Sequence, residues 1–81
     1  MCGSWFNAQC KNQKALELFT CWLNVNNLYA EMLQNQEGEK YIRIIILNED
    51  SDWAYKVLKE LEDRIWNQFN VFITYKRTGI F

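Results

Sequence analysis

Three groups of residues in this 81-residue chain have types and spacings that suit chemistry. They are the carboxylates Glu49, Asp50 and Asp52, the thiols Cys2, Cys10 and Cys21, and the basic and phenolic residues Lys40, Tyr41, Arg43, Tyr75, Lys76 and Arg77. Carboxylates gathered on a loop suit hard divalent cations, but this run lacks the spacing and the glycine of a calcium loop. Its acids stand where a helix is expected to begin, and interaction with the free amides of that first turn accounts for them without a metal. The cysteines are odd in number and form no CxxC unit, and the chain has no His to lower a thiol pKa. They read as buried, inert, reduced thiols, which places the protein in the cytoplasm. Without His the commonest general base is also missing. No glycine-rich phosphate loop or nucleophile elbow is present, so no catalytic residue, metal or cofactor is expected, and the chain reads as a non-enzyme.

Lys40, Tyr41, Arg43, Tyr75, Lys76 and Arg77 fall near the ends of two expected strands. Gathered at a sheet edge, they would resemble an aromatic and basic platform for single-stranded nucleic acid. Nine basic and ten acidic residues leave a net charge of -1, which supplies no general attraction to phosphate. Nucleic acid is therefore the alternative partner. The chain is 49% hydrophobic and 16% aromatic, more ring surface than a small monomer easily hides, and surplus rings favour protein interfaces. Trp22, Tyr29, Trp53 and Trp66 are the candidates for a protein-binding surface.

These residues must be positioned by a small set of elements. From Lys11 to Gln36, apolar residues at Ala15, Leu18, Trp22, Val25, Tyr29 and Met32 recur at spacings of three and four, with Leu16, Phe19, Leu23, Ala30 and Leu33 beside them. This pattern predicts one long helix closed at Gly38, with two helices that meet at Asn24, Asn26 and Asn27, residues of low helix propensity, as the alternative. Tyr41 to Leu47 is apolar on both alternating sets and predicts a central strand buried on both faces. Ser51 to Phe69 predicts a second helix with Ala54, Val57, Leu58, Leu61, Ile65 and Phe69 inward. Asn70 is the expected turn into a last strand, Val71 to Tyr75.

The resulting fold class is α+β, a single αβαβ domain over residues 1–81. Two strands alone make a marginal sheet, so a homodimer is expected to complete it. The competing solution is a third strand from Ser4 to Ala8 or Thr78 to Phe81 within the chain. No segment approaches the apolar length of a membrane span. The function that follows is a small protein-binding regulator or inhibitor of the kind made by phages and mobile elements, with no membrane partner.

Overall fold

The computed structural model describes residues 2–81. In chain order it has strand β1 (Gly3–Gln9), helix α1 (Gln13–Val25), strands β2 (Tyr29–Gln34) and β3 (Lys40–Leu47), helix α2 (Ser51–Phe69) and strand β4 (Thr74–Ile80). A 3₁₀ turn at Asn48–Asp50 leads into α2. The strands form one antiparallel sheet in the order β2-β3-β1-β4. This β-α-β-β-α-β succession is the split β-α-β arrangement. The α+β class stands with two strands beyond the two expected: Gly3–Gln9 is the third strand of the competing solution at Ser4 to Ala8, and Tyr29–Gln34 replaces the end of the expected long helix.

Both additional strands come from this chain. Gly3–Gln9 enters the sheet between β3 and β4, so β3 and β4 run in the same direction without touching as neighbours. Tyr29–Gln34 is the end of the predicted long helix turned into an edge strand. The reversal happens at the asparagines. Asn27 takes a left-handed φ of 66°. Its amide donates to the Asn24 carbonyl (3.1 Å), and the Leu28 amide donates to Leu23 (2.9 Å). This pair of bonds is a Schellman closure, and Leu28 and Leu23 are both buried as its apolar contact. The Asn26 side-chain amide donates to the Trp22 carbonyl at 2.8 Å. Asn24 then reaches over to β2, accepting from the Ala30 amide (3.3 Å) and donating to the Ala30 carbonyl (3.1 Å). It covers part of the outer edge of β2 as a neighbouring strand would.

Several further expectations are corrected. Gly38 keeps its predicted left-handed backbone (φ 87°), but in the β2–β3 hairpin rather than at a helix end. There the Asn35 carboxamide oxygen accepts from the amides of Glu37 and Glu39, each at 2.9 Å. The last strand is Thr74–Ile80; Val71 to Ile73 is the link from α2, with Ile73 buried. Asp50 makes no side-chain capping bond, so the acids near the α2 amino end contribute charge alone. Among the described residues no three metal-binding side chains form a cluster. The thiols are free, but Cys2 and Cys21 are exposed and Cys10 is half-buried rather than sealed in the core.

β3 is central, as predicted, yet it is covered on one side only. Ile42, Ile44 and Ile46 are buried beneath the helices, while Tyr41, Arg43, Ile45 and Leu47 are half-exposed. The core beneath the helices is built from Leu16, Phe19 and Leu23 of α1, Leu61 and Ile65 of α2, and Ile42 and Ile44 of β3, all fully buried. Among the described residues no helix is long and apolar enough to cross a membrane.

Asn24→Ala removes two hydrogen bonds to β2 and lowers unfolding stability by about 1–2 kcal/mol. Asn27→Val forces a branched side chain into the left-handed region and lowers it by about 1–2 kcal/mol, whereas Asn27→Gly does not. Urea titrations of the three variants followed by circular dichroism check both expectations.

Candidate interaction face

Strand alternation places every second residue on the side of the sheet away from the helices. The register sets these residues in rows. Tyr29, Glu31 and Leu33 of β2 lie opposite Ile45, Arg43 and Tyr41 of β3. Trp5 and Asn7 of β1 lie opposite Ile45 and Arg43 on the other side of β3. Lys76 of β4 pairs with Asn7. Past the end of β4, Phe81 and Gly3 exchange both backbone hydrogen bonds, at 2.8 and 3.0 Å, which extends the β1–β4 ladder by one pair.

At the centre of this face the Arg43 guanidinium lies over the Trp5 ring, 5.2 Å from its centroid, within the range of a cation–π contact. Phe81 meets Trp5 edge to face, with centroids 6.1 Å apart and planes at 84°. Such edge-to-face pairs are favoured by the ring quadrupole. The Phe81 ring reaches this place because residue 3 has no side chain. A Cβ on Gly3 would come within 2.8 Å of the Phe81 ring and 2.9 Å of the Ile46 carbonyl. At the β2 end the Tyr29 hydroxyl donates to Glu31 at 2.7 Å. That bond and the Glu31 charge push the Tyr29 phenol up, against a smaller opposing effect of Arg43. The face therefore joins Trp5, Phe81, Tyr41, Tyr29, Ile45 and Leu47 around one guanidinium, with Glu31 and Lys76 at its sides.

The predicted site residues are distributed differently from their grouping in the sequence. Of the basic and phenolic set, Tyr41, Arg43 and Lys76 share the open face. Tyr75 and Arg77 pair with Ala8 and Phe6 and so belong to the helix side, as does Lys40 by alternation with Ile42. Of the protein-binding set, Tyr29 and Trp53 line one shallow recess with Leu28 and Leu47 at the end of the sheet. Trp22 is half-buried on α1 beneath the Arg64 guanidinium, 5.9 Å from the ring centroid. Trp66 stacks on Phe72 at the far end of α2, with centroids 4.6 Å apart. These four residues do not form one surface.

Trp5, Asn7, Phe81, Ile45 and Leu47 are the members that sequence reasoning did not single out. Ile45 and Leu47 were visible as one alternating set of the apolar run Tyr41 to Leu47 and Trp5 as half of an adjacent apolar pair with Phe6, but no local pattern joins them to one another or to Phe81.

On the opposite side of the sheet, the Tyr75 hydroxyl donates to Glu62 of α2 at 2.7 Å. Partial burial, then that hydrogen bond and the Glu62 charge, push the Tyr75 phenol well above its usual 10.0. The chain matches no protein-family model, no curated protein and no solved structure.

Gly3→Ala should displace Phe81 from Trp5 and lower stability by about 1–3 kcal/mol, as overpacking against fixed backbone does. Loss of the ring-current shifts on Phe81 protons, alongside thermal unfolding, checks it. The folded chain holds the Tyr75 proton more tightly than the unfolded chain. Its contribution is therefore complete below pH 10 and lost as pH rises above it, where the unfolded phenol ionises first. Denaturant midpoints measured from pH 8 to the alkaline limit should fall less steeply for Tyr75→Phe than for the wild type.

Proposed function

We propose that this chain is a non-enzymatic protein-binding domain. Its open sheet face docks on a partner protein, and it acts as a regulator or inhibitor by occupying that partner's surface. One observation carries the reading. The two middle strands present Trp5, Tyr41, Ile45 and Leu47, with Phe81 beside them, on a side that no element of the described chain covers. Interface centres are rich in aromatic residues and Arg and poor in other charges, and Arg43 over Trp5 at the middle of an aliphatic and aromatic face matches that composition. The supporting chemistry is that of recognition; the residues gathered here include no nucleophile paired with a base.

A second copy of the chain is one protein that would fill the role. The expectation of a homodimer rests on an incomplete two-stranded sheet, whereas one chain supplies four strands. Edge pairing is also opposed, since Asn24 covers part of the β2 edge and β4 carries Lys76 and Arg77. A homodimer would therefore form through the open face.

A second reading is favoured by one feature. Trp5, Tyr41, Arg43 and Lys76 lie together on β1, β3 and β4, where bases stack in sheet-based single-stranded nucleic-acid binders. The aliphatic Ile45, Leu47 and Leu33 and the acidic Glu31 on the same face favour protein.

A photo-crosslinking residue at position 41 should trap a protein in the source cells, and one at the exposed position 59 on α2 should not. With the trapped protein purified, Trp5→Ala should weaken binding by about 30-fold, the effect of losing an interface anchor. Wild-type affinity in both Trp5→Ala and Ile45→Glu overturns the reading. If the partner is a second copy, light scattering at micromolar concentration gives twice 9.8 kDa, and Trp5→Ala returns it to that mass. If it is nucleic acid, Trp fluorescence titrated with oligothymidylate shows saturable binding. Its log affinity should fall with log salt at a slope of about -1.4, from phosphate contacts by Arg43 and Lys76.

A further inference from the structure

The helix layer does not roof the sheet evenly. α2 lies over β3, while β4 is exposed along almost its whole length. Between them, on the helix side, is a cavity of about 170 Å³. It is walled by Phe6 of β1, Ile44 and Ile46 of β3, and Tyr55 and Leu58 of α2, and the Tyr75–Glu62 pair stands at its open side. Apolar cavities of about 150 Å³ stay dry and admit benzene-sized molecules, so this space suits one compact ring.

The polar groups at its mouth restrict the chemistry further. The Tyr75 hydroxyl donates its proton to one Glu62 oxygen, Oε2. What the pair still offers an occupant is acceptors: the second carboxylate oxygen, further lone pairs of the first, and the phenol oxygen. The ionised carboxylate rejects anionic ligands and rewards an N–H or O–H donor with a charge-assisted hydrogen bond. The arrangement of apolar walls with a few convergent polar groups is that of a small-ligand site.

We infer that the cleft between α2 and β4 binds a small neutral or cationic aromatic molecule that carries one hydrogen-bond donor, an indole, phenol or aromatic amine. The ring lies against Phe6, Ile44, Ile46 and Leu58, and the donor meets Glu62 beside Tyr75. This site is on the opposite side of the sheet from the docking face, so the two proposals stand or fall separately.

The test is a titration of the isotopically labelled full chain with indole, followed by amide shifts. Saturable changes at Phe6, Ile44, Leu58 and Tyr75, with intermolecular nuclear Overhauser effects from indole to the Ile44 and Ile46 methyls, are expected. Glu62→Gln, on the helix surface, keeps the fold and should weaken indole by about tenfold while leaving benzene unchanged. Leu58→Phe fills the space and should abolish the indole shifts in a chain that still melts cooperatively; where that variant does not fold, the methyl contacts and Glu62→Gln decide. Absence of saturable shifts in the wild type, shifts without methyl contacts, or equal loss of indole and benzene in Glu62→Gln each overturns the inference.

Discussion

Two amphipathic helices can cover one face of a four-stranded sheet and no more, and the structure follows from that limit. α1 and α2 bury Ile42, Ile44 and Ile46 together with Ala8, Phe19 and Leu61, and this burial is the main apolar gain of a chain near the lower size limit for independent folding. The same limit leaves Tyr41, Arg43, Ile45 and Leu47 on the other side of β3. A strand that is apolar on both faces, in a domain with one helical layer, must keep one apolar face against water or against something else.

That uncovered face is not left unstructured. Arg43 lies over Trp5, and Phe81 closes on Trp5 from the carboxyl-terminal end through the gap at Gly3. Stacking by a guanidinium shields part of an exposed indole while its N–H donors remain available. The result is an arrangement of rings held in place by backbone pairing, which reduces the ordering entropy a partner would have to offset on binding. The sheet edges are treated in the opposite way. Asn24 hydrogen bonds to one, and paired cations with a register shift opposite Trp5 and Phe6 mark the other, so association is directed to the face rather than to the edges.

On the helix side, the same uneven roofing has a second consequence. α2 crosses over β3 and meets β4 through the hydrogen bond from Tyr75 to Glu62, and the space between them is the apolar cleft under Tyr55 and Leu58. A third helix or a longer α2–β4 contact would fill it; the described residues supply neither.

The sequence by itself determined α2, the central strand β3, the left-handed turn at Gly38 and the α+β class. In each case the cause is local: a sustained 3.6-residue apolar period, a dense β-branched run, or a backbone conformation that glycine adopts without strain. It also carried the three asparagines, whose meaning was legible only in part. Low helix propensity at Asn24, Asn26 and Asn27 left open whether the helix continued, because Tyr29, Met32 and Leu33 fit a helical stripe and Tyr29, Glu31 and Leu33 fit a strand face equally well. Tertiary structure decided it, since pairing with β3 satisfies the Tyr29–Gln34 backbone and buries Ala30. The interaction face was hidden for the same reason. Trp5 and Phe81 stand at opposite ends of the sequence, and only the insertion of β1 between β3 and β4 brings both to Arg43. Burial of one alternating set and exposure of the other is a property of which side the helices take, which no local pattern encodes.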